Sequence, residues 1–177
     1  VELTVQNGKI DGDGASSAAS VLSEDCELVL DGLDMTSSGD FGIAANGSAR
    51  GDENSSAGLV LTVRNCTLEN SVDSQETVGI FFPAQEGTLT IEDSQITGYN
   101  VGVQAFTGTI TIAGDETKIT GSGVNELNGE EGNLKTSGPL FDGAAVSIIQ
   151  RVDTDGTNPY GDFKAVTIEG GTFTTNT

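Results

Sequence analysis

Histidine is absent from the 177-residue chain. Its absence removes Ser–His and Cys–His nucleophile pairs, histidine-ligated zinc and imidazole acid–base chemistry together. Basic residues are scarce as well: seven Lys and Arg stand against 27 Asp and Glu, a formal net charge of −20. A surface of that sign repels polyanions, and nucleic-acid binding needs a basic patch, so nucleic acid is excluded as a partner. The same acidity keeps an exposed protein in solution. No run of 18 apolar residues occurs, which leaves no candidate for membrane insertion as a helix. No charged start followed by an apolar stretch marks a leader. Only two cysteines are present, Cys26 and Cys66. They fall at different places in the repeat described next, so they are expected to be unpaired, with Cys66 serving as a small core residue.

What the chain has is glycine, 25 residues of it, with abundant Thr, Ser and Asn and only three prolines. That composition fits many short strands punctuated by turns. A strand motif recurs at Leu3–Val5, Leu28–Leu30, Leu61–Val63, Leu89–Ile91, Ile110–Ile112 and Val166–Ile168. Its first and third positions are aliphatic and its second is polar in five copies of six, as a strand with one buried face requires. The fifth position is Asn7, Gly32, Asn65, Asp93, Gly114 or Gly170. These residue types tolerate left-handed backbone or bond to their own turn, so a sharp corner is expected there. Position eight is apolar again, at Ile10, Met35, Leu68, Ile96 and Phe173, with Ile119 in the same role after a two-residue insertion. A third apolar segment precedes most returns to the motif, at 20–22, 41–45, 78–82, 101–105 and 145–149.

The first positions are separated by 25, 33, 28, 21 and 56 residues. Such variation suits stacked units whose insertions fall in loops, here 46–58, 70–77, 121–143 and 151–164. The expected architecture is all-β: a right-handed parallel β-helix, or solenoid, of about six coils with three short strands per coil and variable loop insertions. A single domain over 1–177 is expected. Its opening at Val1–Val5 and its close just past Phe173 suggest a segment of a longer protein, with neighbouring domains of the same chain beyond.

The copies GTLTIEDSQITG and GTITIAGDETKITG resemble the right-handed parallel β-helix of the pectate-lyase-like superfamily over nearly the whole chain. The stretch VGIFFPAQEGTLTIEDSQITGYNVGV resembles segments of large surface proteins of Gram-positive gut bacteria. The resemblance implies that fold. It leaves activity open, because the superfamily holds lyases, hydrolases, binding modules and adhesins. The NTD, DD, GHG and RIK strings of its polygalacturonase-type hydrolases are missing. Its lyases need a positioned Arg or Lys base, usually with carboxylate-bound calcium.

Three constellations could carry chemistry. Position four of consecutive copies is Asp31, Arg64 and Glu92, with Asp93 adjacent. Stacking would set Arg64 between two carboxylates about 9.6 Å apart, near the upper end of the separation used by inverting glycosidases. A cross-strand charge ladder explains the same residues without a substrate, and it is the stronger account. Arg50, Gly51 and Asp52 spell RGD in a polar loop and would resemble an integrin-binding tripeptide. Asp153, Asp155 and Asp162 surround Gly156 with the hard oxygen ligands calcium accepts, although Asp and Gly also build metal-free turns. Thr4, Thr62, Thr90, Thr111 and Thr167 form an outward column of ordinary strand composition. Tyr99, Phe106, Phe141, Tyr160 and Phe163 are candidates for exposed sugar platforms, and at least one of Phe81 and Phe82 is expected to face outward.

The expected function is that of a non-catalytic segment of an extracellular, cell-wall-associated bacterial protein. It would act as a structural spacer or an adhesive surface for cell-wall or host glycans or host surface proteins. The alternative is a polysaccharide lyase or glycoside hydrolase of the β-helix class acting through Asp31, Arg64, Glu92 and Asp93.

Overall fold

The computed structural model describes residues 1–45, 56–72, 75–124, 138–150 and 160–176. Among the described residues every regular element is a strand. In chain order these are β1 (Glu2–Gly12), β2 (Ser17–Ser20), β3 (Glu27–Ser37), β4 (Phe41–Ala44), β5 (Val60–Arg64), β6 (Thr67–Asn70), β7 (Val78–Phe82) and β8 (Thr88–Glu92). They continue as β9 (Gln95–Thr97), β10 (Val101–Ala105), β11 (Gly108–Ala113), β12 (Lys118–Gly121), β13 (Val146–Ile148), β14 (Phe163–Glu169) and β15 (Thr172–Thr175). All the pairings are parallel.

Ten strands make one curled sheet and five make a smaller one. β1 and β3 run the full depth of the large sheet and bend in the middle. Beyond β3 the sheet divides into two limbs, β5–β8–β11–β14 and β6–β9–β12–β15. The bend falls where position five was expected to turn. Asn7, Gly32, Asn65, Asp93, Gly114 and Gly170 have φ of 55, 63, 53, 44, 91 and 87°, a region closed to most residues with a β-carbon.

Pairing follows the motif position by position. Leu3, Leu28, Leu61, Leu89, Ile110 and Val166 form one column, and Val5, Leu30, Val63, Ile91, Ile112 and Ile168 a second. Past the bend, Ile10, Met35, Leu68, Ile96, Ile119 and Phe173 form a third. Apart from Leu3, Val166 and Ile168, which are exposed, these columns and the inner side chains of the small sheet meet in one cluster. Cys66 is buried within it. Both cysteines are free, as their offset in the repeat requires.

The small sheet runs β13–β10–β7–β4–β2, and its first strand differs from expectation. β2 occupies Ser17–Ser20 rather than 20–22, and Leu22 is exposed. The reason is a demand for small residues where the two sheets abut. Ala18, Gly42, Gly79 and Gly102 share one register line. A β-carbon at Gly42 would lie 2.6 Å from the Gly79 carbonyl oxygen, 2.6 Å from the Tyr99 hydroxyl and 2.8 Å from Leu68. Only the 17–20 stretch offers an alanine at that point in the first level.

The aromatics also differ from expectation. Phe81 and Phe82 are both buried, Phe82 in the main core and Phe81 in a second cluster with Val78, Val101, Phe106 and Tyr160. Ring centroids lie 5.3 Å apart for Phe41–Phe81, 5.4 Å for Phe81–Phe106 and 5.1 Å for Phe106–Tyr160, spacings at which edge and offset contacts are favourable. The small sheet is therefore covered on both sides. Part of the 121–143 insertion lies over it, held where the buried Gln104 side chain donates to the Leu140 carbonyl at 2.6 Å and accepts from its N–H at 2.8 Å. Tyr99 is buried too, its hydroxyl 2.9 Å from that of Ser37. Burial pushes its phenol up to about 12.

One position of the motif reports on stacking directly. Leu61→Ala removes a side chain with neighbours above and below and should cost about 3–5 kcal/mol of unfolding free energy. Leu3→Ala, at the same position on the uncovered first level, should cost under about 1 kcal/mol. Urea unfolding of the two variants measures the difference, and equal losses would contradict the ladder.

Candidate functional site

The position-four constellation comes together only in part. β3, β5 and β8 place Asp31 beside Arg64 and Arg64 beside Glu92 in register. The guanidinium turns one way: Arg64 Nε lies 3.0 Å from Asp31 Oδ2, and no ion pair to Glu92 is found among the described residues. The other Asp31 oxygen accepts a hydrogen bond from Asn65 Nδ2 at 2.9 Å. Both oxygens of Asp31 are thus occupied. The Asn65 amide and the Arg64 guanidinium hold its carboxyl below the usual range, against a smaller opposing effect of burial.

Asp93 has a local task. The turn that follows β11 carries two extra residues, Asp115 and Glu116, before β12. Asp93 Oδ1 accepts the Glu116 N–H at 3.2 Å, and Gly114 is so close to that carboxylate that a β-carbon would collide with it. Asp93 therefore braces the one enlarged corner of the sheet. Glu92 is left exposed on the outer face. Of the three carboxylates, Asp31 is held by a cation and an amide and Asp93 by a backbone N–H, while Glu92 makes no ion pair among the described residues.

Sequence reasoning placed Arg64 and Asp31 together but gave Asn65 only the corner. The signal for its second role was the adjacency of an amide at position five to an acid at position four one level before. The same device recurs on the other limb. Thr67 Oγ1 donates to Asp34 Oδ1 at 2.7 Å, and Thr36 Oγ1 to Asp11 Oδ1 at 3.3 Å.

Arg50, Gly51 and Asp52 lie outside the described residues, as do Asp153 and Asp155. Asp162 is described. Its Oδ1 accepts from Gln150 Nε2 at 3.0 Å, and its carbonyl accepts from Thr107 Oγ1 at 3.2 Å. No group of three or more possible metal-ligating side chains occurs among the described residues. The outward threonines Thr62, Thr90, Thr111 and Thr167 do align in one half-exposed column, and Val29 separates them from the exposed Thr4. Of the aromatics considered for sugar stacking, Tyr99, Phe106 and Tyr160 are buried, and Phe141 and Phe163 are half-buried.

Two cavities, of about 370 and 280 Å³, lie at the Val1 end. Val1, Cys26 and Glu27 line both of them; Asp25 and Gly58 line the larger, and Leu3 and Leu22 the smaller. The position-four residues line neither. Cys26 is half-buried there, its Sγ 3.2 Å from the Ser23 carbonyl. No helix long and apolar enough to cross a membrane occurs among the described residues. No protein-family model, curated protein or solved structure matches the chain.

The depressed carboxyl of Asp31 has a sign. A group whose folded pKa is lowered contributes stability above its ordinary value near 4, and that contribution disappears as pH falls through the folded value. Asp31→Asn should therefore flatten the acid limb of the stability curve below about pH 4. By NMR titration, the Asp31 midpoint should rise toward the ordinary value in Asn65→Ala; an unchanged midpoint would remove the amide as its cause.

The two thiols should react differently. Burial pushes the Cys66 thiol up, and thiolate and access together govern alkylation. A maleimide should label the native protein once, at Cys26, and twice only in denaturant. Native labelling at Cys66 would contradict its place in the core.

Proposed function

We propose that the chain is a right-handed parallel β-helix of the pectate-lyase-like kind. In this reading it serves as a non-catalytic segment of an extracellular, cell-wall-associated bacterial protein: a stiff spacer whose outer surface makes adhesive contacts with neutral glycans. The observation that carries the proposal is the engagement of Asp31 by Arg64 and Asn65, and of Asp93 by Glu116. The residues most suited to acid–base chemistry are spent on holding the ladder in register. Charge supports the same conclusion. Lyases of this class act on polyuronates, and a protein with 27 acidic and seven basic residues repels such substrates over its whole surface.

Stiffness follows from the build. Successive levels pair along two sheets, and each aliphatic column is continuous, so bending would open backbone hydrogen bonds and core contacts at once. Insertions can vary at the corners without disturbing that spine. Variable loops on a constant rod suit surface contacts better than a shaped reaction cleft.

Incubation with polyuronates and with neutral glycans, with and without calcium, tests the proposal. No new reducing or unsaturated ends should form, while retention on an immobilised neutral glycan should survive Arg64→Ala. Cleavage by the wild-type protein that is lost in a folded Arg64→Ala variant would replace the spacer with the enzyme.

A further inference from the structure

The outer face of the limb β5–β8–β11 carries two columns side by side. Val60, Thr88 and Thr109 form one, and Thr62, Thr90 and Thr111 the other. All six side chains are half-exposed. Ala165 and Thr167 of β14 extend both columns by a level. None of these residues is charged, although the chain has 27 acidic and seven basic residues. Charge begins at the next outward position, with Arg64 on β5 and Glu92 on β8.

The hydroxyls of this face are also unengaged. Elsewhere on the ladder Thr36, Thr67, Thr117 and Thr120 donate to a carboxylate or a carbonyl. Among the described residues Thr62, Thr88, Thr90, Thr109 and Thr111 make no side-chain hydrogen bond. Each therefore offers a ligand one donor, two lone pairs and a methyl group. The offer repeats about every 4.8 Å along the axis and about every 6.6 Å along the strands.

We propose that this face holds a neutral, extended polysaccharide chain that runs along the axis with one sugar ring to a level. The proposal rests on the neutral-glycan reading above and gives that contact a place on the molecule. Three observations select the occupant. The first is charge. An uncharged face on a chain of net charge −20 has nothing to draw a basic partner away from the acids around it. The field of the whole molecule repels polyanions and further copies of itself.

The second is area. Four levels and two columns cover roughly 10 by 20 Å, on the order of 200 Å², whereas a stable protein–protein contact takes about 800 Å² from each partner. A ribbon of that size suits a single polymer chain. The third is chemistry. Sugar hydroxyls donate and accept, as the threonine hydroxyls do, while the threonine methyls and Val60 meet the C–H faces of the rings. A chain whose rings are joined through equatorial bonds at opposite ends stays extended. It advances per ring by a step close to the spacing of levels, so successive rings meet successive threonines.

Affinity electrophoresis of the whole chain through gels carrying hydroxyethylcellulose, a neutral β-1,4-linked glucan, tests the proposal. Retardation should be stronger there than in gels of soluble starch, whose α-linked chain coils. Thr90→Val combined with Thr111→Val keeps the shape of the face and removes two hydroxyls. It should weaken binding about tenfold or more. Thr97→Val, outward on the other limb, should bind as the wild type does, and circular dichroism should show both variants folded. Retention that the double variant leaves unchanged, or that is no stronger in hydroxyethylcellulose than in starch, would overturn this placement and leave the glycan reading standing. Retention by no neutral glycan would overturn both. In sedimentation velocity, a rise in mass with concentration that the double variant abolishes would give the face to a second copy instead.

Discussion

The left-handed corner is the constraint on which the structure depends. In-register parallel pairing brings the same motif position of successive levels together, and it can continue around the bend only if each level turns at the same step. Asn7, Gly32, Asn65, Asp93, Gly114 and Gly170 perform that turn with positive φ. A β-branched residue there would be strained by roughly 1–2 kcal/mol. Worse, it would move the corner by a residue, and a one-residue slip turns a buried column outward. The aliphatic columns supply the driving force, while the corners decide which residues enter them.

Parallel stacking constrains charge as well. Residues at one position lie about 4.8 Å from their counterparts above and below, so a repeated acid would build a column of like charges. The large sheet mostly avoids this. Asp31 meets Arg64, Lys9 meets Asp34, Asp34 meets Thr67, and Thr36 lies between Asp11 and Glu69. Glu2 against Glu27 is the exception, and both side chains are exposed, where water screens them. A chain of net charge −20 can therefore hold a tight ladder because its acids alternate with hydroxyls, amides and a few cations. At position four that alternation pairs Asp31 with Arg64 and seats Arg64 between two acids.

The columns and corners of the large sheet were legible in the amino-acid sequence because each strand there has one wet face. Period-two alternation then reports burial directly, as in LTV and LTI. The small sheet was not legible in the same way. FGIA, VGIFF and VGVQA have no alternation because both of their faces are covered, and a continuous apolar run is the usual mark of that state. The segments at 41–45, 78–82, 101–105 and 145–149 were visible there, while the first was placed at 20–22 rather than Ser17–Ser20, and the cover was not visible. Phe81 is buried through contacts with Phe41, Phe106 and Tyr160, and Leu140 is held by Gln104 across 36 residues of chain. Nothing local to either segment announces such a partnership. For the same reason the pairing of Asp31 with Arg64 could be read from position four, whereas the exclusive choice of Asp31 over Glu92 depends on side-chain reach.

Asp93 joins these strands of argument. Its position in the motif makes it a corner, and its φ of 44° agrees. Its neighbour Glu92 made it look like one of a pair of carboxylates. The level below adds two residues at its own corner, and the register beyond survives, with Ile119 still against Ile96. That survival needs something to hold the excess chain in place, and the Asp93 carboxylate does so through the Glu116 N–H. Asp93 thus carries the seam between a short corner and a long one, and the sheet tolerates this insertion because that carboxylate absorbs it locally and leaves the pairing of β12 with β9 intact.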